Sequence, residues 1–168
     1  MSKSVLVSVL EDGRLDVVGS VKDLSDSAAA TKPAPERWSV LECMEHIVVV
    51  EERFLGWLAN GAPIEAAENR EKEAELRTKI RDRSYKAQAP EATRPTGRFT
   101  SVGAAIEAFN RVRDLSVRVA EERGEALFSV GVTHPRFGDM NGAELVHVLT
   151  AHACRHAAQI RETRSAIA

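Results

Sequence analysis

Cysteine is nearly missing from this chain of 168 residues: there are two, Cys43 and Cys154. Two thiols without paired spacing exclude a disulfide scaffold and make a reducing cytoplasm the expected compartment. Long apolar runs are missing too. No stretch approaches the roughly 18–20 residues needed to cross a bilayer, so neither a membrane span nor a membrane partner is expected. Neither sign of charge dominates, with 23 basic residues against 25 acidic ones and a net charge of −2. That balance offers nothing electrostatic to attract nucleic acid. The opening "MSKSVLVSVLEDGRLD" turns acidic after a short apolar stretch and has no small-residue cleavage pattern, so no leader peptide is read there. Internal repeats and low-complexity tracts are absent as well.

What is present is helical periodicity. The length suits one domain over 1–168, and the composition, 43% hydrophobic and 29% charged, is that of a globular protein. Val7, Leu10, Val17, Val18, Val21 and Leu24 recur at steps of three, four and seven, which predicts a first helix over about 4–25. Gly13 and Gly19 weaken it by about 1 kcal/mol each relative to alanine, and the valines leave a strand over 4–10 as the alternative. "TKPAPERWS" breaks the helix with two prolines. Ser39 and Glu42 fit a capping box, opening a second helix over 39–60 that "NGAP" ends. Residues 65–83 read as a solvated helix braced by charge pairs one turn apart. "APEATRPTGRF" is a loop, a third long helix covers 101–122, and a turn-rich connector leads to a fourth over 141–166. The expected fold is all-α: a four-helix bundle with a short additional helix in the connector between the second and third long helices. Bundles of this kind build metal and cofactor sites from facing helices.

The stretch "HACRHAAQI" places His152 and His156 four positions apart. Four residues turn a helix to within about 40° of its start and rise about 6 Å, so both imidazoles point the same way. They are either satisfied core residues or two ligands of one ion. The spacer is "ACR", which lacks the glutamate of the metalloprotease helix and gives that mechanism no support. His147 lies about 140° from His152 and cannot share its centre; it reads as an interface or surface histidine. His46, two turns into the second helix beside "IVVV", is the candidate third ligand, because a buried imidazole needs polar partners. Three histidines with a position left for water would make a catalytic arrangement rather than a structural one.

"WSVLECMEHI" followed by "HPRFGDMNGAELVHVLTAHACRHAAQI" closely resembles the DinB-like (YfiT-like) family, and the resemblance runs over essentially the whole chain. It implies a four-helix bundle, usually dimeric. It also implies a divalent metal, zinc or nickel most often, held by histidines at the positions of His46, His152 and His156. Family members with known activity include S-transferases that use the thiols mycothiol or bacillithiol, and an isomerase that uses mycothiol. Others are described as metal-dependent hydrolases.

Around that site Gln159 and Glu42 are candidate acceptors for the ligands' second ring N–H groups, with helix capping the alternative for Glu42. Arg155 is a candidate for an anionic substrate or for a plain ion pair. Cys154 should face away from the pair and fill core, while Cys43, about 60° from His46, either approaches the site or fills space. His134 fixes the connector or meets substrate, and Trp38 and Trp57 read as core or hinge packing. Two functions follow. One is an enzyme that activates a water or a low-molecular-weight thiol against a small-molecule substrate, as a hydrolase or S-transferase. The other is a non-catalytic homodimer whose ion only stabilises the fold. An open position at a pocket separates the first from the second.

Overall fold

The computed structural model describes residues 4–168, so residues 1–3, where the leader expectation begins, lie outside it. Four long helices form the frame: α1 (Val5–Ser20), α3 (Val40–Ala59), α5 (Val102–Arg123) and α6 (Gly142–Ile167). Two shorter ones, α2 (Asp26–Ala30) and α4 (Arg70–Arg81), sit in the connectors. The long helices pack in a ring, α1 against α6 and α5, and α3 against the same two, while α4 lies along the outside of α6. Among the described residues, no helix is long and apolar enough to cross a membrane.

Local chemistry sets the helix starts. The Ser39 hydroxyl accepts the Glu42 N–H and the Glu42 carboxylate accepts the Ser39 N–H, closing the expected capping box of α3. Asn141 and Glu144 form a second box at the start of α6. The first helix ends at Ser20, short of position 25 where periodicity would end it, because the chain turns to make α2. Its opening residues are helical, not extended. Helical periodicity gives no sign of the strands that the connectors contribute. The connectors pair as a small antiparallel sheet of β1 (Ala62–Pro63), β2 (Val130–His134) and β3 (Gly138–Asn141), in the order β1-β2-β3. Gly138, at φ 76, serves the tight turn between β2 and β3.

The bundle interior is divided. One apolar cluster gathers Leu10, Phe54, Leu58, Leu145 and Leu149; a second gathers Val17, Met44, Ile47, Phe109 and Ile160. A polar layer lies between them. Arg113 on α5, fully buried, makes a two-pronged ion pair with Glu51 on α3 at 2.7 and 2.9 Å. Its remaining nitrogen donates to the Leu10 carbonyl of α1, and Ser116 donates to Glu51. Gly13 explains itself here. A side chain at that position would meet Thr150 Cγ2 at 2.6 Å and Arg113 Nη1 at 3.0 Å.

Candidate metal centre

His46 sits on the second turn of α3, and His152 and His156 one turn apart on α6. Their ring nitrogens converge. His152 Nε2 lies 3.1 Å from His46 Nε2 and 3.2 Å from His156 Nε2, and one nitrogen from each of the three lies within 4.8 Å of the others. Spacing within one helix thus supplies two rings, and the packing of α3 on α6 supplies the third.

The outer nitrogens decide what the inner ones are. His46 Nδ1 is 2.7 Å from the Thr93 carbonyl oxygen, which can only accept, so Nδ1 carries the proton. His156 Nδ1 is 2.8 Å from Gln159 Oε1, likewise an acceptor. Both Nε2 atoms are therefore lone pairs aimed at His152 Nε2. That nitrogen can hold one proton and give it to one neighbour, so at least one close nitrogen pair has no hydrogen between its members. A divalent cation resolves the conflict. Two nitrogens at about 2.0–2.1 Å from one tetrahedral zinc ion stand about 3.3 Å apart, close to the spacings found here. The donor set fits the ion that the resemblance implies.

Electrostatics favours the same state. Burial pushes the His46 pKa down, opposed in part by the Thr93 hydrogen bond. Burial, then the neighbouring imidazoles, hold His152 and His156 well below the ordinary 6.5. All three are neutral at physiological pH, the form that ligates.

The remaining candidates separate cleanly. Gln159 accepts from His156, as expected of a supporting residue. Glu42 caps α3 and does not support His46, whose partner is the Thr93 carbonyl. Cys43 is fully buried outside the cluster, and burial, then Glu42, push its thiol up to about 12. Cys154 faces away from the histidines, and its sulfur accepts from Arg81 at 3.0 Å. Arg155 makes no ion pair among the described residues; it donates to the carbonyl oxygens of Ile80, Asp82 and Tyr85 and so holds the chain leaving α4. His134 fixes its turn, with Nδ1 accepting the N–H groups of Arg136 and Phe137 at 3.1 and 3.3 Å. Burial and then Arg136 lower its pKa to about 4, so it offers the pocket a neutral N–H donor and no free lone pair. His147 is not at the surface. It is buried between α4 and α6, 3.0 Å from Arg77 and 3.3 Å from Glu73.

Three supports were not assigned to the site from the sequence. Trp38, read as packing, lies against the candidate ligands, with ring centroids 4.9 Å from His46 and 6.2 Å from His156. Thr93 acts through a backbone carbonyl, which any residue possesses. Glu45 pins the loop that carries Thr93: its carboxylate accepts from Thr96 N and Oγ1, Gly97 N and Arg98 N at 2.7–3.0 Å. Burial raises the Glu45 pKa, but those hydrogen bonds outweigh it and the net shift is downward.

The cluster forms part of the wall of a cavity of about 1050 Å³ between α3, α6, the end of α4 and the β2–β3 turn. Phe54, Trp57, His134 and Phe137 furnish an aromatic side; Phe54 and Trp57 stack at 4.8 Å. A helical bundle with three neutral imidazoles converging beside an open cavity defines a class: bundles equipped to hold a divalent ion where a small molecule can reach it. The chain belongs to the DinB superfamily, whose sequence model matches residues 10–160. It is 26% identical over 164 residues to the uncharacterised protein YuaE of Bacillus subtilis (strain 168), covering 96% of this chain and 98% of that one. Its fold is similar to that of YfiT from Bacillus subtilis, with a TM-score of 0.58 and 15% identity over 94% of this chain and 83% of the other. YfiT is described as "a probable metal-dependent hydrolase with an unusual four-helix bundle topology".

Proposed function

We propose that this chain is a metal-dependent enzyme acting on a small molecule, with His46, His152 and His156 as the ligands of one divalent ion, zinc or nickel. The observation that carries this reading is the convergence of three Nε2 atoms, two fixed as lone pairs by Thr93 and Gln159, beside a cavity. The chemistry such an ion supplies is activation of a water or thiol as a nucleophile near neutral pH. The chain's own residues do the rest. Thr93 and Gln159 hold the tautomers, Trp38 packs against the rings, and the aromatic side keeps part of the cavity dry. Hydrolysis agrees with the description of YfiT; thiol-dependent S-transfer agrees with the resemblance noted above. The cavity beside the centre favours turnover over a purely structural ion, which would be enclosed by protein ligands.

The test is elemental analysis of protein prepared without an affinity tag, beside the His152→Ala variant, followed by assays of ester cleavage and of thiol consumption. One divalent ion per wild-type chain, lost in His152→Ala with helicity preserved by circular dichroism, is the expected result. Stoichiometric metal in the variant overturns the ligand set, and loaded protein inactive in both assays argues for the structural ion.

A further inference from the structure

The cavity is charged in a way the chain is not. The whole sequence is slightly acidic, yet the residues around the cavity include eight basic side chains and one acidic, Glu36. Three of the eight are committed to the protein. Arg83 pairs with Glu162 at 2.8 Å, Arg94 donates to the Ala89 carbonyl, and Arg155 holds the carbonyl oxygens named above. The other five, Arg37, Arg53, Lys79, Lys86 and Arg136, make no ion pair among the described residues. Glu162, the acid that feels Arg37 and Lys86, is already engaged by Arg83. Like charges drawn around one concavity repel each other, and low-dielectric walls focus their field into it.

These cations stand next to aromatic surface. The Arg136 guanidinium lies 4.7 Å from the Tyr85 ring centre and 5.5 Å from that of Phe137, and Lys79 Nζ lies 6.0 Å from the latter. The stacked Phe54 and Trp57 continue the wall towards His134. Cations spread along an exposed face would suit a polyanion; cations around a concave site of this size suit a small ligand.

We infer that the substrate is a small amphipathic anion. Its apolar or aromatic body lies along Phe54, Trp57 and Phe137, and its carboxylate, phosphate or sulfonate is held by the unpaired cations, chiefly Arg53 and Arg136. This rests on reading the cavity as the active site, and it adds the substrate class that the metal centre alone leaves open.

Binding of anilinonaphthalene sulfonate and of its uncharged parent, phenylnaphthylamine, is measured by fluorescence titration on metal-loaded and chelator-treated protein. The sulfonate binds about tenfold tighter in both states and loses most of that preference in Arg53→Gln/Arg136→Gln and at high salt. Naphthaleneacetate and naphthyl phosphate displace the bound sulfonate while naphthaleneethanol does not, and the more effective anion identifies the headgroup. Equal affinity for the two probes, or a preference untouched by the double variant, overturns the inference. So does a preference confined to metal-loaded protein, since the ion would then be the receptor. Metal content measured on the same samples keeps the two readings apart. Stoichiometric metal without anion preference removes only this inference; anion preference in a protein that takes up no metal removes only the metal reading.

Discussion

At the residue scale the centre is a problem of protons. Three nitrogens crowd together while two of their rings spend their only proton elsewhere, on Thr93 and Gln159. The support should then tune the site. Gln159→Leu leaves the His156 ring in place but removes the acceptor of its Nδ1–H. Metal affinity is expected to fall about 10–100-fold with the ion still bound at saturation. Competition against a chromophoric chelator measures this, and an unchanged affinity would show that Gln159 supports nothing. Cys154→Ser is expected to leave metal content intact, since that sulfur faces Arg81. The histidine pair of α6 was legible because helical geometry alone puts positions four apart on one side. Thr93 was not legible, because its contribution is a carbonyl brought from a loop 47 positions away along the chain.

At the element scale α4 is the instructive case. Its sequence reads as a solvated helix held by its own charges. Instead, Leu76 and Ile80 are buried against the bundle, and the charges reach across to α6. Lys72 meets Glu144 at 2.8 Å, Arg77 meets His147, and Arg81 meets Cys154. The spacing shows only two large apolar residues in that helix, because partners on another element leave no mark in its own sequence. His147 makes this contact sensitive to acid. Arg77 donates to Nδ1, so Nε2–H faces Glu73, and burial, then Arg77, hold the pKa down to about 4. Because the folded value is lowered, the unfolded chain binds the proton first. Stability is full above 6.5 and declines as pH falls from there towards 4. Glu73 works the other way, since burial and Glu68 raise its pKa and the folded form takes up its proton early. Glu144 and Glu68 also oppose the His147 shift. In chelator-treated protein, where the three clustered histidines titrate in both samples, His147→Gln should decline less steeply than wild type over this window in urea melts. Parallel profiles would contradict this account.

At the scale of the whole molecule, the layer around Arg113 ties α1, α3 and α5 together halfway along the bundle. A buried pair adds little net stability, but breaking it strands a charge. Arg113→Met is expected to cost roughly 3–5 kcal/mol by urea unfolding, because Glu51 loses its counter-ion inside the core. Adding Glu51→Leu should recover part of that loss; additive destabilisation would mean that the pair is not coupled. The sequence offered no hint of this layer, since Glu51 reads as one more polar position on an amphipathic helix.

Sequence alone determined what short-range geometry and local chemistry can dictate: four long helices, the capping box at Ser39, the place of α4, and two imidazoles on one stripe of α6. Tertiary packing decided the rest. It brought His46 to that stripe, set the Thr93 carbonyl behind it, paired Glu51 with Arg113, and gathered unpaired cations around one cavity. The physical reason is range. Backbone periodicity and caps act over a few residues, whereas converging imidazoles, a buried charge pair and clustered cations depend on distances through space between segments far apart along the chain.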